Sequence, residues 1–125
     1  MLFTEIIKEN KDFSRAYTKG KYVSCGIVTC YFRQNKLPLN RMGITAGKKL
    51  GNAVTRNRAK RMIRAAYRLE EKNFPIGYDL VFVARNDIAQ KKTQDVCRFF
   101  KERLIKEIDK AANMPVKKNE KNKKA

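Results

Sequence analysis

The chain has 125 residues, 42% of them apolar, which suffices for one core. Thirty Lys and Arg against twelve Asp and Glu give a formal charge of +18, so the expected partner is a polyanion: nucleic acid, an anionic membrane surface or an acidic protein. There is no run of about eighteen apolar residues to span a membrane, no apolar stretch of a signal peptide in MLFTEIIKENKDF, and no His anywhere to serve as general base or triad member.

Asn10 to Thr18 reads as a short helix, with Asn10 as its cap, Asp12 in the first turn and Gly20 after its end. Phe13, Ala16 and Tyr17 form its apolar stripe. Tyr22 to Arg33 is rich in strand formers, with a bulge or bend at Gly26. Beyond that bend Val28, Cys30 and Phe32 share one face and Ile27, Thr29 and Tyr31 the other. QNKLPLN is a loop, and Arg41 to Ala46 a second strand with Met42, Ile44 and Ala46 on one face. The two strands read as an antiparallel hairpin.

Gly47 to Thr55 is a loop, and Arg56 to about Asn73 a helix that ends before Pro75 and Gly77. YDLVFVA, Tyr78 to Ala84, is almost continuously apolar and is expected to be a central strand covered on both faces. After the loop ARNDIAQ, Thr93 to about Ala112 forms the last helix, burying Val96, Phe99, Phe100, Leu104, Ile108 and Ala111. Residues 113–125 are a lysine-rich tail too polar to fold, so residues 1–112 form the domain. The order predicts an α+β fold, a two-layer α/β sandwich with helices packed on a small mixed β-sheet, with a further short strand near the start allowed. Cys25, Cys30 and Cys97, without metal-ligand spacing, read as reduced, half-buried thiols of a cytoplasmic protein.

The helix after the Gly-rich loop carries the main functional signal. At about 100° per residue, Arg56, Asn57, Lys60, Arg61, Arg64 and Arg68 share one side, and Ala59, Met62, Ile63, Ala66 and Leu69 the other, with Arg58 at the border. Solvated faces ordinarily mix signs, because like charges four residues apart repel. Here Arg56, Lys60, Arg64 and Arg68 form a ladder of one sign, with no acid before Glu70. Arg forks suit phosphate oxygens, and a Gly-rich loop permits close backbone approach. The pattern points to nucleic acid. A helix-turn-helix fits less well because a strand and loop precede the basic helix. A membrane-surface helix would carry bulkier apolar residues.

Arg41-x-Gly43, followed by Lys48-Lys49-x-Gly51-Asn52-Ala53-Val54-x-Arg56-Asn57-Arg58-x-Lys60-Arg61-x-x-Arg64, resembles the signature of the protein component of bacterial ribonuclease P. Asp12-Phe13, Tyr17, Gly20, Tyr31, Val83-Ala84-Arg85 and a final helix agree in order, so the resemblance covers roughly residues 8–112. It implies an αβββαβα-like fold with a left-handed βαβ crossover. It also implies an accessory subunit of an endoribonuclease that removes the 5′ leader of precursor tRNA, in which a catalytic RNA with Mg²⁺ performs the chemistry. The expected partners are that RNA and precursor tRNA, with no membrane, no obligate protein partner and no metal held by the protein.

Carried over residue by residue, the resemblance assigns Lys48, Lys49, Arg56, Asn57, Arg58, Lys60, Arg61, Arg64 and Arg68 to the catalytic RNA. It assigns Phe13, Tyr17 and Tyr31 to a cleft that holds the single-stranded leader, where stacking would be worth ~1–3 kcal/mol per base. From pattern alone, Phe13 and Tyr17 fit a core as well as a platform. Two other functions stay in view: a general RNA-structuring or ribosome-associated protein, and a nuclease acting alone with Asp79 or Asp87 as base. Against the latter, Asp79 reads as an edge or turn-facing residue, since a lone carboxylate makes no acid–base pair.

Overall fold

The computed structural model describes residues 2–112. Five strands form one mixed sheet in the order β1-β4-β5-β3-β2. They are β1 (Thr4–Ile6), β2 (Lys21–Ser24), β3 (Val28–Gln34), β4 (Asn40–Thr45) and β5 (Tyr78–Ala84). The helices are α1 (Asn10–Lys19), α2 (Ala53–Glu70), α3 (Thr93–Phe99) and α4 (Ile105–Ala112), with a π-helical stretch at Phe100–Leu104 between the last two.

The apolar β5 lies at the centre, antiparallel to β3 and parallel to β4. It separates the two strands expected to form a hairpin, so that expectation is corrected: β3 pairs with β2 and β5, and β4 with β1 and β5. Alternation along a strand sets its faces but not its neighbours. The long Tyr22–Arg33 strand is two strands, because the chain reverses at Cys25–Ile27 and pairs Tyr22 with Tyr31.

Helix α2 begins at Ala53, three residues before the expected Arg56, because the Asn52 side chain accepts the Thr55 N–H and caps it. Gly51, at φ 137°, supplies the turn that precedes the cap. In α1 the cap position falls to Glu9 rather than Asn10, with no side-chain bond, while Gly20 N–H closes the far end on the Ala16 carbonyl.

The two faces of the sheet are covered unequally. On one, Cys30, Phe32, Met42, Leu80 and Phe82 meet Ile63, Ala66 and Tyr67 of α2 and Val96, Phe100, Leu104 and Ile108 of the C-terminal helices. Leu69, expected in that core, is 69% exposed, and Tyr67 is buried in its place. Cys30 and Cys97 are buried rather than half-buried, all three thiols are free, and burial raises the Cys30 pKa well above its ordinary value. On the other face α1 lies alone, adding a partial third layer around Ile7, Ala16 and Val81.

An ion cluster fixes α1 to the sheet. Arg41 donates from Nε and Nη2 to both carboxylate oxygens of Asp79, at 2.8 and 2.7 Å, and reaches Asp12 of α1 at 3.4 Å. Asn35 donates to Asp79 at 3.0 Å. Asp79 is therefore a buried member of an ion cluster on the central strand, not the expected edge residue. Its hydrogen bond raises the Arg41 pKa. The lysine-rich tail lies outside the described residues.

Candidate nucleic-acid interface

The candidate interface has two parts, on opposite sides of the sheet. The first follows from strand alternation on the α1 face. Registers place Tyr22, Tyr31, Val81 and Gly43 in one cross-strand row, and Ser24, Thr29, Val83 and Thr45 in the next. Helix α1 covers the first row only in part. Phe13 rests its ring on Gly43, where an added Cβ would lie 2.5 Å from two ring carbons. Tyr17 stands edge-on to Tyr31, ring centroids 5.0 Å apart, and Tyr22 approaches Tyr31 from the other side at 5.5 Å. Tyr17 is 41% and Tyr22 63% exposed, so this aromatic cluster opens to solvent.

The second row runs from the tyrosines into an open depression of about 770 Å³ bounded by Ser24, Gly26, Lys48, Lys49, Val83 and Arg85. Arg85 Nε donates to Thr29 Oγ1 at 2.8 Å, and that oxygen also bonds Ser24 Oγ at 2.7 Å. The cleft is thus aromatic at one end and cationic at the other. Tyr17 and Tyr31 come together as expected, while Phe13 is held against Gly43 and Ile7 beneath α1. Lys48 and Lys49, expected with the basic helix, sit in the 3₁₀ turn Lys48–Leu50 at the cationic end of the cleft.

The second part is the outer surface of α2. Asn57, Arg61 and Arg68 are exposed, and Arg56, Lys60 and Arg64 half-buried along one flank. Tyr67 marks the direction of that flank, since its hydroxyl contacts Thr4 of β1 at 2.7 Å and receives Asn40 Nδ2 at 3.4 Å. The Arg56 Nε is shielded from solvent and has no hydrogen-bond partner among the described residues. Arg58 points the other way, donating to the carbonyls of Ala89 and Lys91 at 3.2 and 2.9 Å. It tethers α2 to the segment before α3.

Sequence reasoning missed Tyr22 and Arg85. Tyr22 lies before the reversal at Cys25–Ile27, so its face could be assigned only once that turn was known; its register with Tyr31 then places it.

The Ribonuclease P family profile matches residues 2–109. The chain belongs to the ribonuclease P protein family. It is 43% identical to the ribonuclease P protein component of Clostridium botulinum (strain Loch Maree) over 91 residues, 72% of this chain and 82% of the relative. To that of Pelotomaculum thermopropionicum it is 42% identical over 96 residues, 77% of this chain and 86% of the relative. The solved RNase P protein of Staphylococcus aureus superposes with a TM-score of 0.70 at 32% identity, covering 86% of this chain and 94% of that one. The RNase P protein of Thermotoga maritima gives 0.74 at 27%, covering 83% and 97%. Family membership makes the chain part of a ribonucleoprotein endoribonuclease of tRNA processing. No helix among the described residues is long and apolar enough to cross a membrane.

Proposed function

We propose that the chain is the RNA-binding accessory subunit of cytoplasmic ribonuclease P, with separate surfaces for its two RNAs. The single-sign face of α2 docks the catalytic RNA, and the α1-side cleft holds the single-stranded 5′ leader of precursor tRNA. The observation that carries this reading is the exposed Tyr17–Tyr31–Tyr22 cluster leading into a basin with Lys48, Lys49 and Arg85. Aromatic platforms beside cations hold single strands of varied sequence. The unpartnered Arg56 Nε is a donor that a phosphate oxygen would satisfy.

Chemistry in this reading belongs to the RNA and its Mg²⁺. The buried carboxylates of Asp12, Asp79 and Glu71 are engaged by the chain's own groups. Asp12 and Asp79 converge on Arg41, and Glu71 accepts Thr4 Oγ1 and the amides of Leu2 and Phe3. Among the described residues no three His, Cys, Asp or Glu gather as a metal site would require. In this reading the protein's part is to bind and orient RNA.

The test is cleavage of a leader-bearing precursor tRNA at low Mg²⁺ with bacterial ribonuclease P RNA alone, protein alone, and both together. Efficient cleavage only by the mixture is the expected result. Cleavage by protein alone would place the active site in this chain, and no gain in the mixture would return it to general RNA-structuring or ribosome-associated duty.

A further inference from the structure

We propose that Asp87 reads a base: its carboxylate, set among the cations of the cleft's basic end, accepts hydrogen bonds from the amino-bearing edge of one leader nucleotide. The inference rests on the cleft's holding the leader. It concerns a residue whose charge is opposite to that which phosphate binding needs.

Asp87 lies in the 3₁₀ segment Asn86–Gln90 that follows β5. Its backbone is fixed across the β2–β3 turn, with Asp87 N–H donating to the Gly26 carbonyl at 3.2 Å and Arg85 N–H to the Ile27 carbonyl at 2.9 Å. The side chain lies against Gly26, close enough that a Cβ on that residue would collide with its carboxylate. Gly26 thus leaves the room the carboxylate occupies. Asp87 borders the same depression as Lys48, Lys49 and Arg85. Yet its carboxylate makes no hydrogen bond or ion pair among the described residues. It is an acceptor-only group at the end of a groove otherwise suited to phosphate.

The exposed Asp87 carboxylate repels phosphates and accepts only from donors, which on an RNA strand are the ribose 2′-OH and the N–H groups of the bases. Of these, only the base N–H groups differ from one nucleotide to the next. Guanine offers adjacent N1–H and N2–H donors to its two oxygens, whereas cytosine and adenine each offer one amino group. Uracil places carbonyl oxygens on both sides of its single N–H. The order of preference is guanine, then adenine and cytosine, then uracil, at one leader position.

The experiment uses the reconstituted protein–RNA holoenzyme. It measures affinity for precursor tRNAs whose leaders differ at a single nucleotide, guanosine or uridine, moved stepwise along the leader. A leaderless tRNA serves as reference. At one position the wild type is expected to favour guanosine about five-fold, the low end of base discrimination by paired hydrogen bonds. Asp87→Ala should bring that ratio to one, lowering affinity for the guanosine leader relative to the uridine leaders, from which only a repelling negative charge is removed. Gly26→Ala should lower the ratio too by displacing the carboxylate, without removing it. A ratio of one at every position in the wild type, or a ratio that Asp87→Ala leaves intact, would overturn the proposal while leader binding stands. If leader-bearing and leaderless tRNA bind equally, the cleft reading itself fails, and this proposal with it.

Discussion

On its α2 side the sheet meets a continuous aromatic core, in which the rings of Tyr67, Phe74, Phe82 and Phe100 lie 5.0–5.9 Å from their neighbours. On its α1 side it meets one helix of ten residues, a small apolar patch, and an Asp12–Arg41–Asp79 cluster. The closed face stabilises the fold through buried area. The half-covered face uses directional bonds to hold a short helix in place and leaves the rest of the sheet open. The proposed RNA-binding role of this face requires it to stay uncovered, and its scaffold depends on a few specific contacts instead of a large core.

The comparison can be broken most severely on the closed side. Phe82→Ala should cost about 3–5 kcal/mol in denaturant unfolding, since the fully buried ring would leave a cavity beside Tyr67 and Phe100. On the open side Asp79→Ala should cost about 2–3 kcal/mol, less than a wholly buried pair because Arg41 reaches water. Amide exchange in α1 should accelerate more than in α2, which a Phe82 cavity would not produce. Gly43→Ala should cost about 1–3 kcal/mol by driving a methyl into the Phe13 ring. Adding Phe13→Leu should recover part of that loss, because the two residues share one contact.

The smallest expected effect lies at the sheet edge. Asn40 donates to the Tyr67 hydroxyl, which contacts Thr4, and Thr4 donates to Glu71. Burial alone would raise the Glu71 pKa, but Thr4 and the amides of Leu2 and Phe3 outweigh it and hold the carboxyl below its ordinary value. A carboxyl depressed in the folded state contributes stability above its unfolded pKa and loses it as pH falls through the folded one. Wild-type stability should therefore decline more steeply than that of Glu71→Gln on acidification through the ordinary glutamate range and below it. Parallel curves would remove Glu71 from the account.

Much of this was legible in the sequence, and the failures have physical reasons. The nearly continuous apolar run of β5 identified a strand covered on both faces, and the cationic side of α2 stayed out of the buried core. Strand neighbours were not legible: β3 and β4 are consecutive, yet β5 enters between them through the α2 crossover. The sequence assigns Tyr67 to neither side of the helix, because at about 100° per residue it falls close to Arg56. In the fold it is buried, with Thr4 and Asn40, distant in sequence, satisfying its hydroxyl. Asp79 seemed solitary because Arg41, 38 residues away, is its neighbour only in the folded sheet. Arg58 belongs to the basic motif by sequence, but its fork is engaged by two carbonyls.

The proposed division of labour between the two surfaces is tested most directly by one set of binding measurements across a salt series. Affinity for the catalytic RNA, and the further gain given by a tRNA leader, would be measured for two variants. Arg56→Ala/Lys60→Ala/Arg64→Ala should weaken RNA-subunit binding and lower its salt slope by about two, as three phosphate contacts are lost, while keeping the leader gain in the assembled complex. Tyr17→Ala/Tyr31→Ala should leave RNA-subunit binding and its slope unchanged and abolish most of the leader gain. Equal losses of both affinities in both variants would contradict the separation of the two RNA surfaces.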